Sequence, residues 1–486
     1  MDNLEQNIRQ LVASVLKDLT VEKSETVSTI PTEITPVQAD LSGAMGHGIF
    51  ADVEGAVGAA NISSQELKKL PLKTRENIIA AMRKTGLNNS EMLSKKAAEE
   101  TGMGYWQDKV LKHDLVSVKT PGVEDLISTS YSDDDGLTLT ELAPWGVVGA
   151  IIPSTNPSST VICNAIGMVA AGNSVVFGPH PSAKEVSNMA ITLLNEAIVA
   201  AGGPRNVLTG LANPTIEMAG KLMHHKDIKL LVVTGGPAVV EAAMKTNKKV
   251  IAAGPGNPPC VVDETADIAK AGRDIVAGGG FDRNLICICE KEVIAVNAIT
   301  DDLKREMIKN GAFELDQTQI EAITKLVIAK AGALGVEGFA NKAFVGKSPQ
   351  YIASKIGLEV PETTKLLLCE VPKDHALVWT EQLMPVMPIC RVSNVDEGIE
   401  LAVACEHGFK HTAIMHSKNI DALTKMARAM NCSIFIKNAP SYAGLGAGGA
   451  GYASFTIASP TGEGLTRARD FSRERRCTLV DYFRIV

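Results

Sequence analysis

Two cysteines one residue apart, Cys287 and Cys289, stand in the stretch FDRNLICICEKEV at residues 281–293. Three chemistries use such a pair: a metal site, a redox couple, or one nucleophile beside a packed neighbour. A structural zinc site needs about four ligands, usually from two knuckles with wider spacing. The sequence has no second knuckle, and His407, His411 and His416 follow far downstream without a carboxylate-rich motif. A disulfide across one intervening residue is strained, which disfavours the redox couple. A thiolate nucleophile instead needs backbone N–H groups or a helix end to lower its pKa. The preceding IVAGGGF can end a helix and present a loop with Cys287 at its tip. CEKEVIAV then reads as a strand that carries Cys289 into a sheet. Spacing alone leaves a reactive Cys287 in competition with two core cysteines.

The elements that must position such a loop follow from the wider sequence. At 486 residues, two or more domains are expected. A hydrophobic content of 45% with 21% charged residues is that of a globular protein, and a net charge of -7 argues against nucleic acid as the main partner. No apolar run approaches a transmembrane span and no secretory signal is visible, so neither a membrane partner nor export is expected. Nine scattered cysteines read as reduced thiols rather than a disulfide framework.

Residues 1–20 place Leu4, Ile8, Leu11, Val12, Val15, Leu16 and Leu19 on one stripe, which predicts an amphipathic helix. Residues 21–45, rich in Thr, Ser, Glu and Pro, read as a linker. The helix either folds back on its own domain or docks on another protein. From about Gly46 helical periodicity dominates. A hairpin at 126–143 is expected to turn at Asp135-Gly136. GVVGAIIP, NSVVFGP and KLLVVTGG each precede a helix, and KKVIAAGPG adds a strand. Apolar strands alternating with helices imply a parallel sheet covered on both faces. A second such block runs from PPCVVDE to CSIFIK. The terminal RRCTLVDYFRIV is strand-like and is expected to pair with the early hairpin, within the chain or across subunits. GLGAGGAG at 444–451 reads equally as a close-approach loop or a mobile surface loop.

Phe281, Asp282, Asn284, Cys287 and Glu290 resemble the nucleophile loop of aldehyde dehydrogenases, in particular the coenzyme-A-acylating branch. Arg283 stands where Asn is more usual and Cys289 where a small residue is. IIPSTNPSST (151–160), GNSVVFGPHPSA (172–183), VVTGGPAVV (232–240), EQLMPVMP (381–388), EHGFKHTAIMHS (406–417) and RERRCTLVDYFRIV (473–486) resemble further segments of that branch in family order.

The resemblance implies an α/β aldehyde dehydrogenase fold: two parallel-sheet, Rossmann-like domains plus an oligomerisation hairpin and terminal strand. The cofactor-binding domain would span 46–253 and the catalytic domain 254–435, with 436–486 returning to the cofactor domain. It makes Cys287 the nucleophile and Asn156 the oxyanion donor. It places NAD on Thr155, Pro179, His180, Thr234, Gly235, Gly236, Gly254, Glu381 and Pro385, with Glu381 on the nicotinamide ribose. The glutamate that activates water in hydrolytic members is replaced by Ala253 in AAGPGNPP (252–259). Without that base the thioester can wait for coenzyme A. Gly178 and Pro181 stand where a Lys and a Glu usually clamp the adenosine ribose.

The implied reaction is oxidation of a short-chain aldehyde, propionaldehyde before acetaldehyde, to its acyl-CoA. In this branch the N-terminal extension resembles an encapsulation peptide. It implies a shell-protein partner through residues 1–20 and a cytoplasmic location inside a bacterial microcompartment. The hairpin and terminal strand imply a homodimer or homotetramer. The rival readings are a hydrolytic aldehyde dehydrogenase and a non-catalytic scaffold that keeps the fold.

Overall fold

The structure, a computed structural model, describes residues 47–486. The helix and linker expected at 1–20 and 21–45 lie outside the described residues.

Segments rich in Val, Ile and Leu form two parallel sheets. From edge to edge the first runs Ile49–Phe50, Leu208–Leu211, Ser174–Gly178, Val147–Ile151, Ile228–Thr234 and Lys249–Ala253. Val147–Ile151 and Ser174–Gly178 are buried at every position, as helices on both faces of a sheet require. The chain leaves Val147–Ile151 for one side, through Ser174–Gly178 to Leu208–Leu211. It then returns to the other side at Ile228–Thr234. That reversal is the switch point at which open parallel sheets bind ligands, outside the carboxyl ends of their strands.

The second sheet has seven parallel strands in the order Ala312–Glu314, Leu366–Glu370, Val386–Val392, Glu292–Val296, Pro259–Val262, Thr412–His416 and Ile434–Lys437. The helices expected after the first strands are Pro157–Ala170, Lys184–Ala200 and Pro237–Met244. Pro157 and Pro237 occupy first-turn positions, where a missing N–H costs nothing.

The hairpin consists of Thr129–Asp133 and Gly136–Pro144. Its two-residue turn is Asp134-Asp135, one residue earlier than expected. Gly136, at φ 128°, already pairs with Asp133, and the Leu479 carbonyl crowds the space a side chain would need. Ser472–Val480 completes a three-stranded antiparallel sheet on Gly136–Pro144 within the same chain. Leu479, Val480, Tyr482 and Phe483 on or just beyond that strand are exposed. The Gly/Ala run is a close-approach loop: Lys119 Nζ donates to the carbonyls of Gly446 (2.7 Å) and Gly449 (3.1 Å). Among the described residues no helix is long and apolar enough to cross a membrane.

Candidate active site

The helix Ile268–Gly280 ends in three glycines and releases a loop unlike any regular element. Asp282, Arg283 and Asn284 follow one another at φ 46°, 56° and 64°, in the left-handed region. Such a run persists only where its surroundings hold it. Asn284 supplies one hold, its Nδ2 donating to the Gly279 and Glu290 carbonyls at 2.9 Å each. Lys291 supplies the next: its buried ammonium donates to Asn284 Oδ1, to the Asn284 carbonyl (3.2 Å) and to the Ile286 carbonyl (3.3 Å). Asp282 supplies the third. Its carboxylate accepts from the Tyr105 N–H (2.6 Å), from Lys109 Nζ (2.9 Å) and from Lys112 Nζ. Burial alone would raise the Asp282 carboxyl, but Lys109 and Lys112 hold it below the usual carboxylate range.

Cys287 is half-buried near the tip of this loop, and Cys289 is fully buried. The strand begins only at Glu292, so Cys289 is not carried into the sheet as the spacing suggested. The turn Ile286–Cys289, closed by the Cys289 N–H on the Ile286 carbonyl (3.0 Å), tucks it inside. Burial pushes the Cys287 thiol up to about 12, the Glu381 carboxylate adds to the rise, and Lys291 opposes it. Glu381 is itself raised by burial to about 7, against the pull of Lys291 and of a Gly256 backbone N–H.

Asn156 ends the loop after Val147–Ile151 and stands at the N-cap of the helix Pro157–Ala170, yet its side chain makes no capping bond. Its Nδ2 donates to the Leu285 carbonyl at 3.1 Å, and its Oδ1 accepts from Lys112 Nζ at 2.6 Å. The carboxyl ends of the first sheet therefore meet the amino-end loops of the second. The stretch before Pro259–Val262 closes the site from below. A Cβ on Gly256 would lie 3.1 Å from the Cys287 carbonyl and 2.9 Å from His411 Cγ. His411, just before Thr412–His416, is driven by burial down to about 3 and is therefore neutral. Its Nδ1 meets Thr412 Oγ1 at 2.8 Å, and its Nε2 has no hydrogen-bond partner among the described residues.

Most of the remaining expected residues follow strands of the first sheet, whereas Pro385 immediately precedes Val386–Val392 of the second. Thr155 precedes Asn156. Thr234, Gly235 and Gly236 follow Ile228–Thr234; Gly236 begins the helix Pro237–Met244 without a side-chain cap and with open space around its Cα. Exposed N–H groups at a helix start suit a pyrophosphate. The Thr234 hydroxyl is 2.8 Å from Thr456 Oγ1. Pro179 and His180 follow Ser174–Gly178, where His180 Nδ1 accepts from Ser182 N–H at 3.2 Å. A Cβ on Gly178 would come 2.9 Å from Ile151 Cδ1, and one on Gly254 2.9 Å from Pro460 Cγ. Pro385 is buried, its carbonyl accepting from the Leu367 N–H at 2.9 Å.

The aldehyde dehydrogenase family profile matches residues 22–457. The chain belongs to the aldehyde dehydrogenase family. An acetylating acetaldehyde dehydrogenase of Escherichia coli is 49% identical over 483 residues, covering 99% of this chain and all of that one. A propionaldehyde dehydrogenase of Rhodopseudomonas palustris, solved with bound coenzyme A and an acylated cysteine, superposes with a TM-score of 0.86 at 47% identity. That match covers 90% of this chain and 98% of the other. A propionaldehyde dehydrogenase from a fucose-utilisation microcompartment of Clostridium phytofermentans has a TM-score of 0.88 at 47% identity, over 90% of this chain and all of the other.

This member of the family also uses a helix that the sequence reading left out. Trp106–Lys119 buries Lys109, Lys112, His113 and Val116, spaced i, i+3, i+4 and i+7. The signal was present: charged residues on the inward stripe of a helix require partners. Asp108 on the same helix accepts from the Asp282 N–H at 2.8 Å. Burial and then Asp282 raise it to about 6, while burial lowers Lys109 to about 8. His113 Nε2 meets Ser158 Oγ at 2.8 Å, tying this helix to the one that follows Asn156. Lys291 was missed because two of its three partners are backbone carbonyls, which leave no mark in a sequence. Among the described residues no cluster of His, Cys, Asp and Glu could hold a metal ion.

Proposed function

We propose that this protein oxidises a short-chain aldehyde, propionaldehyde foremost, with NAD+ and coenzyme A to an acyl-CoA and NADH. The observation that carries the reading is the wall against Cys287. Residues 252–259, which touch the nucleophile through Gly256, contain no carboxylate. A thioester formed there lacks the base by which that segment activates water in hydrolytic enzymes, and it survives until a thiol arrives.

In this reading the Cys287 thiolate adds to the aldehyde carbonyl. The Asn156 Nδ2 keeps one N–H beyond its bond to Leu285, since its 3.5 Å approach to Thr155 Oγ1 is too long to occupy it strongly. That N–H is the donor for the oxyanion, a contact worth about 3–4 kcal/mol in such transition states. Collapse of the thiohemiacetal breaks the C–H bond and sends hydride to NAD+, leaving the acyl group on the Cys287 sulfur. The coenzyme A thiolate then displaces Cys287 from the carbonyl carbon, releasing acyl-CoA.

For NAD+, the exposed, uncapped helix start at Gly236, with open space where a side chain would stand, fits the pyrophosphate. Thr155, Pro179, His180, Thr234, Gly235, Gly254 and Pro385 belong to this candidate site, and Glu381 is assigned to the nicotinamide ribose. Residues 46–253 form the cofactor domain and 254–435 the catalytic domain, with 436–486 returning to the former. The exposed sheet made with Ser472–Val480 is the assigned surface for a homodimer or homotetramer. Residues 1–20 are assigned to a shell protein, inside a cytoplasmic microcompartment, in keeping with the source of the Clostridium phytofermentans relative.

NADH formation from propionaldehyde and from acetaldehyde, each with and without coenzyme A, tests the reading. The expected result is coenzyme-A-dependent turnover, higher with propionaldehyde and abolished in Cys287→Ala. Carboxylic acid formed at full rate without coenzyme A would overturn it in favour of hydrolysis. Deleting residues 1–20 should leave turnover intact and remove shell association.

A further inference from the structure

We propose that Lys112 is a positioning residue that fixes which face of the Asn156 amide meets the developing oxyanion. The inference rests on the assignment of Asn156 as oxyanion donor. An asparagine amide can present either its oxygen or its NH2 group to a neighbour, and only the neighbours decide. At Asn156 the decision is chemical. Lys112 Nζ lies 2.6 Å from Oδ1, and an ammonium has donors but no acceptor, so the oxygen must face it. The NH2 group is thereby turned toward the nucleophile loop, with one N–H on the Leu285 carbonyl at 3.1 Å and the other held only by a long 3.5 Å approach to Thr155 Oγ1.

Lys112 can hold this pose because it cannot wander. Its side chain is buried, it also donates to Asp282 Oδ2, and it lies 5.9 Å from the centre of the Phe281 ring. Asp282 is in turn fixed by Lys109 and by the Tyr105 N–H. One ammonium thus joins the Asp282 end of the nucleophile loop to the oxyanion donor. Loop and donor come from different sheets and must share a geometry to within a fraction of an ångström. Without Lys112, Oδ1 would lose its only hydrogen-bond donor among the described residues, and the amide would be free to turn it toward the oxyanion and repel it.

The test is a double-mutant cycle on Lys112→Met and Asn156→Ala, read as kcat, aldehyde KM and the rate of iodoacetamide alkylation of Cys287. Lys109 remains to neutralise Asp282 in Lys112→Met, and Lys112→Gln, which keeps an N–H donor, serves as the second variant. Asn156→Ala is expected to lower kcat about 10²–10³-fold, as loss of an oxyanion donor does. Lys112→Met should lower kcat about tenfold or more, with KM and the alkylation rate within about threefold of the parent. Lys112→Gln should recover part of the loss. In the Asn156→Ala background Lys112→Met should cost nothing further, since the group it positions is gone.

Multiplicative losses in the double mutant would overturn the proposal, as would a Lys112→Met or Lys112→Gln loss shared equally by kcat and alkylation, the mark of a displaced loop. If Asn156→Ala lowers kcat while both Lys112 variants keep it, the positioning role alone fails. If Asn156→Ala itself keeps full kcat, the oxyanion assignment fails as well.

Discussion

Gly256→Ala tests how tightly the wall of the site grips the nucleophile. The glycine lies outside the left-handed region, so a Gly-to-Ala change would ordinarily stabilise the chain by about 0.4–1 kcal/mol through the unfolded state. Here the added methyl would meet His411 Cγ at 2.9 Å, and His411 Nδ1 and the Cys287 carbonyl oxygen at 3.1 Å. Ordinary contact begins near 3.4 Å, so the groups must part by about 0.3–0.5 Å. His411 cannot give way: it is fully buried, its N–H is held by Glu406 Oε1 at 2.8 Å, and its ring lies 2.8 Å from Thr412 Oγ1. The nucleophile loop therefore moves. Overpacking of this kind costs about 1–3 kcal/mol, which outweighs the entropic gain. A 1 Å misplacement of a reacting group costs about a hundredfold, so half that shift should lower kcat about five- to tenfold. NADH formation at saturating aldehyde, NAD+ and coenzyme A measures the rate, and denaturant unfolding measures the stability. A variant with unchanged kcat and a gain in stability would refute the reasoning, because it would mean the wall does not touch Cys287.

Two charges that face Cys287 should act in opposite directions. Glu381→Gln removes the carboxylate that adds to the rise that burial imposes on the thiol, so iodoacetamide alkylation should be faster. The gain should appear above pH 7, where Glu381 is ionised, and vanish below it, where the native carboxyl is already protonated. NADH formation should fall even so, through the lost ribose contact. Lys291→Met should slow alkylation, because its charge favours the thiolate, and should destabilise the protein by about 2–4 kcal/mol as three loop oxygens lose their donor. Alkylation unchanged in both variants would show that neither charge reaches the sulfur.

The parts that sequence reading reached are those where a residue type answers to its own neighbours in the chain. Val147–Ile151, Ser174–Gly178 and Ile228–Thr234 were legible as apolar runs closed by Pro or Gly, and Cys287 was legible from the loop motif around it. The hairpin turn was misplaced by one residue, because Gly136 is required by the approach of Leu479 from the far end of the chain. Cys289 was rightly read as packed but for the wrong cause, since a turn and not the strand encloses it. The helix Trp106–Lys119 was overlooked altogether. Its lysines answer to Asp282 and Asn156, more than forty residues away in the case of Lys112 and Asn156; the inward stripe announces that they need partners but not which.

The meeting of strand ends from two sheets has a consequence for how such an enzyme can change. Everything assigned to the nucleotide except Glu381 and Pro385 hangs from the carboxyl ends of one sheet, while the sulfur and its wall hang from the amino ends of the other. Each half keeps its own hydrogen-bonded scaffold, so a loop can be redrawn on one side without re-registering a strand on the other. Under these assignments, nucleotide preference and acyl-chain preference would be separately inheritable traits. The junction at Asn156, Lys112 and Asp282 is a place where drift in either half must be matched by the other.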